Sequence, residues 1–309
     1  MRVCEVTEFG GPEVLRVGER RWPRPSEGQV VVRIEAFDVN PSDLAARSGA
    51  ARRRVPELQP PFIPGWDLAG VVDAVGGEGT GYAPGDRVVG LIPFLRIGGR
   101  SGSYAQAAAV DPEWIAPRPD TVDAIAGSTI PLNALTARQL LDLIDAPRGA
   151  TVLITGASCA VGTFATQLAV HDGLRVIAQA SHDDADWVAS LGAGEVLERD
   201  ADLSQIGPVD ALLDAVPIGA DSAAALRDGG VAAFTRRVEV PDAAGRGIRI
   251  ETPLVRNDAA ALAELTRAVA EGRLQPPRIA RTLDLDQTAE AHRLAEQGGR
   301  RGKIVVRTA

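Results

Sequence analysis

The residues best suited to chemistry in this 309-residue chain form one short segment: Thr155, Gly156, Ala157, Ser158, Cys159, Ala160, Val161 and Gly162. A short apolar run, 151–155, precedes it, and an apolar-rich stretch, 161–171, follows. The segment therefore reads as a turn from a buried strand into a helix. Glycines in such a turn permit a tight reversal, close backbone approach to a pyrophosphate and close helix–strand packing, while free amides and the helix dipole hold the anion. Gly156 and Gly162 are present, and Cys159 and Ala160 stand between them. Two readings are open at this point: a dinucleotide-binding turn, or an ordinary strand-to-helix turn. A thiol at a helix start is a candidate nucleophile, but no histidine is placed to support Cys159, and packing is its reading.

The other reactive residue types are scattered. Cys4 and Cys159 are the two cysteines, and His171, His182 and His292 the three histidines. A disulfide framework and a four-cysteine zinc lobe are excluded, and no three-ligand metal site can be assembled from the spacing.

The elements that must position this turn alternate strand and helix. Strands are expected at 151–155, 175–179, 209–214 and 230–234, with helices at 134–144, 161–171, 183–191 and 258–271. Fully apolar strands in that order mean a parallel sheet covered on both faces. The first third is different: β-branched runs at 29–36, 68–75 and 87–92 are punctuated by Pro and Gly, as in an all-β barrel. A last strand, 302–307, is expected to rejoin that β-rich part. The charge of −8 argues against nucleic acid or anionic lipid as a partner. No apolar run approaches the ~20 residues of a membrane helix, and Glu5 and Glu8 interrupt any signal-peptide core, so the expectation is a cytoplasmic protein.

Short motifs in a consistent order then point to a family. They are 36–43 with Arg47-Ser48-Gly49, Pro64-Gly65-Trp66-Asp67-Leu68-Ala69-Gly70, Pro84-Gly85-Asp86-Arg87-Val88, Gly102-Ser103-Tyr104-Ala105, Leu135-Thr136-Ala137, the turn above, Ser190-Leu191-Gly192-Ala193 and Arg301-Gly302-Lys303-Ile304-Val305. Across nearly its whole length the chain resembles the zinc-independent quinone oxidoreductase and enoyl reductase branch of the medium-chain dehydrogenase/reductase superfamily. The resemblance implies an α/β protein in which a GroES-like β-barrel domain (1–120 and 276–309) joins a doubly wound, parallel-sheet Rossmann domain (121–275), with the cofactor in the cleft between them. It implies NAD(P)H-dependent reduction of a quinone or an α,β-unsaturated carbonyl, without zinc and as a homodimer. No metal is expected, because Asn40 and Gly65-Trp66-Asp67 stand where zinc-dependent relatives carry a cysteine and Gly-His-Glu.

Residue roles follow from the same resemblance. Asn40 falls beside nicotinamide and substrate, where its amide would donate to an oxyanion, or else it caps the turn into Pro41. Thr136, Gly156, Ala157, Ser158, Cys159, Ala160, Val161, Gly162, Ser181, His182, Phe234 and Lys303 are assigned to the cofactor. Trp66, Phe94 and Tyr104 are assigned to an apolar substrate pocket, with barrel packing as the alternative; Phe62 is read as core, and Asp43 and Arg47 as loop support. Three departures stand out. Cys159-Ala160 replaces a Gly-Gly pair, the 43–51 loop lacks tyrosine, and aspartates follow Ser181 and His182 where NADPH-dependent relatives often place a basic residue. A missing charge-assisted bond costs about 1.5–3 kcal/mol. Ser181 and His182 remain available for a phosphate, so the expectation is NADPH, with NADH not excluded. A lyase or cyclase that retains the fold without redox chemistry is the second reading.

Overall fold

The computed structural model describes every residue except Pro217, Arg300 and Ala309. The chain divides into two compact units: 1–132 with 257–273 and 278–309, and 133–256 with 274–277. The helix expected at 258–271 is Ala259–Ala270; it belongs to the β-rich unit, not to the parallel-sheet unit, because it packs on the strand Ile115–Pro117. Residues 121–132 likewise fall in the β-rich unit. Among the described residues no helix is long and apolar enough to cross a membrane.

The β-rich unit is built on a seven-stranded sheet. Its path runs Ile279–Asp284, Lys303–Arg307, Val30–Asp38, Asp67–Val75, Arg87–Leu91 and Ile115–Pro117, and Ala107–Val110 pairs with Val30–Asp38. All pairs are antiparallel except the first, so the chain's last strand does join this unit. One consequence of antiparallel order decides where chemistry can sit. Val30–Asp38 ends where two of its neighbours, Asp67–Val75 and Lys303–Arg307, begin, with Asp38 opposite Val305 and Ala36 opposite Ala69. Asp38, Asp67 and Lys303 are thus delivered to one end of three adjacent strands. Arg2–Val6 and Leu15–Glu19 form a separate hairpin-like pair, which no alternating pattern announced.

The second unit is a six-stranded, all-parallel sheet in the order Glu195–Glu198, Arg175–Ala180, Thr151–Thr155, Val209–Asp214, Leu226–Phe234, Arg249–Glu251. From Thr151–Thr155 the chain winds outward through two strands, then returns to the other side at Val209–Asp214. That reversal makes the carboxyl ends of Thr151–Thr155 and Val209–Asp214 the switch point at which open α/β sheets bind ligands. Leu153, Leu212, Ala232, Phe234 and Ile248 fill the core beneath it.

Candidate functional site

At the switch point, Thr151–Thr155 runs directly into the turn, and the helix Ala160–His171 leaves it. Gly156 adopts φ +63, in the left-handed region that favours glycine. Gly162 is required by contact: a Cβ there would lie 2.3 Å from the Gly156 carbonyl oxygen. The two surviving glycines are the two positions where a side chain is sterically excluded or strained. Thr155 Oγ1 donates to Asp214 Oδ1 at 2.5 Å, and the Gly219 N–H donates to Asp214 Oδ2 at 3.0 Å, which ties the two strand ends together.

The Cys159 side chain folds back onto its own helix. Its Sγ accepts from the Gly162 N–H at 3.3 Å and lies 3.8 Å from the Ala215 carbonyl oxygen. The Ala157 N–H donates to Gln179 and the Cys159 N–H to Gly156. The N–H groups of Ser158, Ala160 and Val161 find no acceptor among the described residues, and these three residues are half-buried. Three free donors, two of them the first amides of a twelve-residue helix, are the donor set that an anion such as a diphosphate needs.

At the next strand's end, Ser181 Oγ donates to Asp184 Oδ2 at 3.1 Å, and His182 Nδ1 lies 3.0 Å from Glu198 Oε1. Glu198 pairs in register with Ala180. Its hydrogen bond and charge push the exposed His182 upward from the ordinary imidazole range. Thr136 is buried on the helix Pro131–Ile144. Phe234, expected at the cofactor, is fully buried, and its ring is part of the hydrophobic core.

In the β-rich unit the strand ends converge as their order dictates. Lys303, the chain's sole lysine, directs its ammonium to Asp38 Oδ2 (2.7 Å), Asn40 Oδ1 (2.8 Å) and the Val39 carbonyl (3.1 Å). All three hydrogens of Lys303, which is expected at the cofactor, are engaged in these contacts. Asn40 Nδ2 donates to Asp38 Oδ1 and to Asp67 Oδ2, both at 2.7 Å. Both amide hydrogens of Asn40, for which an oxyanion-donor role is expected, are used here as a clamp on two carboxyls. Asp67 Oδ1 accepts the Leu132 N–H at 2.6 Å. Burial raises Asp67 well above the carboxylate range, and the charge and hydrogen bond of Asp38 add to the rise. The proton-bearing form of Asp67 is thus favoured beside Asp38.

A second chain of contacts leads away from it. The Asn40 N–H donates to Asp43 Oδ2 at 2.9 Å, and Tyr104 Oη donates to the same oxygen at 3.3 Å. His292 Nε2 lies 2.8 Å from Tyr104 Oη, while Arg47 Nη1 donates to His292 Nδ1 at 3.1 Å. Because guanidinium has no acceptor, the histidine's hydrogen sits on Nε2. Arg47 also bonds to the Gly10 carbonyl and to Glu296. Burial pushes Asp43 up to about 8 and His292 down to about 3, with Arg47 adding to the latter. Burial also raises Tyr104 well above the phenol range.

This places the expected pocket aromatics in packing. Tyr104 is fully buried and stacks on Phe37 at 4.3 Å; Trp66 and Phe94 meet edge to face at 5.1 Å, and both are buried, as is Phe62. Asp38, Asp67 and His292 were missed by sequence reasoning. For the two aspartates the one legible signal is a carboxylate inside an apolar run, as in Ala36-Phe37-Asp38-Val39. Among the described residues no group of three or more His, Cys, Asp or Glu side chains could hold a metal ion.

Comparison with known proteins matches residues 26–120 to the family model of the alcohol dehydrogenase GroES-like domain and residues 191–306 to that of zinc-binding dehydrogenases. The chain is 36% identical over 202 residues to a quinone oxidoreductase of Mus musculus, covering 64% of this chain and 58% of the mouse protein. It is 28% identical to the 2-methylene-furan-3-one reductase of Solanum lycopersicum, covering 99% of this chain and 79% of that protein. The crystal structure of an alcohol dehydrogenase superfamily protein from Novosphingobium aromaticivorans superposes over the full length of both chains, with a TM-score of 0.87 and 30% identity.

Proposed function

This chain belongs to the quinone oxidoreductase-like branch of the medium-chain dehydrogenase/reductase superfamily, and on that premise we propose that it is a nicotinamide-dependent oxidoreductase reducing a quinone or an α,β-unsaturated carbonyl, without zinc. The observation that carries the proposal is the set of free Ser158, Ala160 and Val161 amides at the switch point of a parallel sheet. In this reading those amides hold the cofactor's diphosphate. Gly156 and Gly162 keep the backbone close enough for it, and the Cys159 thiol stays clear by capping the Gly162 N–H. A bound reduced nicotinamide supplies the hydride. The substrate class is supported by the relatives: one is named a quinone oxidoreductase, and the other is named for a 2-methylene ketone, an enone.

The metal-free part of the proposal rests on the donor set at the strand ends. The Lys303 ammonium already lies among the Asp38, Asn40 and Val39 oxygens, and a dication there would meet its positive charge. Asn40, Asp38 and Asp67 hold one another, and Asp67 retains its proton. No observation favours the lyase or cyclase reading, since the altered turn keeps its amides free.

The test is calorimetric titration of the full chain with NADH and NADPH, followed by turnover with para-benzoquinone and a small enone, read as loss of reduced-nicotinamide absorbance. Binding plus turnover is expected. No heat with either nucleotide would remove the proposal; binding without turnover across a broad panel would remove its substrate class.

A further inference from the structure

Charge is spread unevenly over this chain. The end of the antiparallel sheet at which Val30–Asp38 stops is also where Asp67–Val75 starts and Arg87–Leu91 stops. Two connections therefore emerge there: 39–66, which joins the first two of these strands, and 92–106, which leaves the third. Beyond the helix Pro41–Arg47, residues 48–66 and 92–106 carry Arg52, Arg53, Arg54, Arg96 and Arg100 against a single carboxylate, Glu57. That is a local charge of +4 on a chain of net −8. Glu8 and Asp258, which adjoin the contacts below in sequence, reduce the excess without cancelling it. All five arginines are exposed, and none forms an ion pair among the described residues. The two connections form one surface: a Cβ at Gly99 would lie 2.6 Å from Phe62 Cβ and 3.1 Å from Leu58 Cδ1, and the Ile63 N–H donates to the Gly99 carbonyl at 3.2 Å. Arg52 lies over the Phe9 ring at 5.6 Å, and Arg96 donates to Asn257 Oδ1 at 2.7 Å. Both are thus held in place by neutral partners and keep their charge.

We propose that this arginine surface takes the acidic group of a small substrate, so that the quinone or enone reduced by this chain carries a carboxylate or a phosphate. The inference rests on the reading of the chain as a quinone or enone reductase, and it narrows that substrate class. Guanidinium presents a planar fork of donors that matches carboxylate and phosphate bidentately. No ion pair among the described residues has to break for such an anion to bind. A long polyanion is the poorer match, because a chain of net −8 repels it wherever it extends past these two connections.

The experiment compares two para-benzoquinones that differ only at the end of a saturated side chain, a hexanoate carboxylate and its methyl ester. Oxidation of reduced nicotinamide by the full-length chain gives kcat/KM for each at low and high salt, repeated on Arg53→Gln/Arg54→Gln. Both arginines are exposed, so the double variant is expected to fold, and circular dichroism checks that it has. At low salt the acid should exceed the ester roughly three- to tenfold, through KM and not kcat, and the gap should close as salt rises. The double variant should lower kcat/KM for the acid about threefold or more, while the ester changes less than about twofold. Equal values for acid and ester, or a variant that moves both alike, would overturn the anionic class and leave the reductase reading intact. Salt-sensitive retention on duplex DNA that the double variant abolishes, with no preference for the acid, would assign the surface to nucleic acid and overturn the inference as well. Turnover of neither quinone, nor of a matching pair of enones, would overturn the reductase reading and this inference with it.

Discussion

The buried Asp43–Tyr104–His292 chain makes an unusual prediction about stability against pH. Asp43 titrates near 3.9 in an unfolded chain and is pushed up to about 8 in the fold by burial. Between about pH 4 and 8 the native protein therefore holds a proton that the unfolded chain has released. Stability from this group is fully present below about pH 4, falls by ~1.4 kcal/mol per pH unit and is gone by about pH 8. His292 has the opposite sign. Held neutral down to about pH 3, it lacks a proton that the unfolded chain binds below about 6.5, so stability rises with pH from about 3 to 6.5. Between about pH 4 and 6.5 these two slopes cancel, and above 6.5 the Asp43 slope is no longer offset by His292. Asp43→Asn keeps an acceptor oxygen for the Asn40 N–H and Tyr104 Oη while removing the titration. Urea unfolding at half-unit steps from pH 5 to 8 should show the difference between wild type and variant changing by ~1.4 kcal/mol per pH unit up to about pH 7 and flattening toward pH 8. Asp67, raised in both proteins, drops out of that difference. Parallel curves for wild type and Asp43→Asn would refute the reasoning.

Other perturbations follow from the same contacts. Lys303→Met strips partners from Asp38, Asn40 and Val39 at once; breaking a buried pair in this way should lower stability by about 3–5 kcal/mol, read by chemical denaturation. His292→Leu leaves Arg47 Nη1 and Tyr104 Oη without their partner and should cost roughly 2–4 kcal/mol in the same assay. Gly162→Val forces a side chain against the Gly156 carbonyl and should abolish nucleotide heat in calorimetry. Cys159→Ser keeps an acceptor for the Gly162 N–H, so its melting temperature should move by no more than the equivalent of about 1 kcal/mol, with nucleotide affinity nearly unchanged.

The parallel-sheet unit was legible because its signals are local. Apolar runs at 151–155 and 209–214 can be buried on both faces, and the strands occupy those same residues. Glycine positions in the turn were legible for a similar reason, since φ and close contact act on one residue at a time. The acidic strand end was legible only in part: Asp184 is visible after Ser181, whereas Glu198 arrives from the neighbouring strand through sheet register. The pairing of Arg2–Val6 with Leu15–Glu19 gave little pattern, because a glycine interrupts the second strand.

The strand-end cluster shows why the rest was not legible. Asp38, Asp67 and Lys303 are separated by up to 265 positions, and nothing in the local sequence around any one of them names the other two. What joins them is antiparallel order: the end of Val30–Asp38 and the starts of its two neighbours must coincide in space. Once they coincide, desolvation sets the chemistry. Two carboxyls buried beside a single ammonium cannot both ionise, so one keeps its proton and the Asn40 amide is drawn in to satisfy both. Asn40 therefore looks like a donor for substrate when read as a position in a motif, and like a structural clamp when its hydrogens are counted. The same count finds all three Lys303 hydrogens engaged within this cluster. Nucleotide affinity should therefore be more sensitive to substitution at Gly162, on the turn, than to substitution at Lys303.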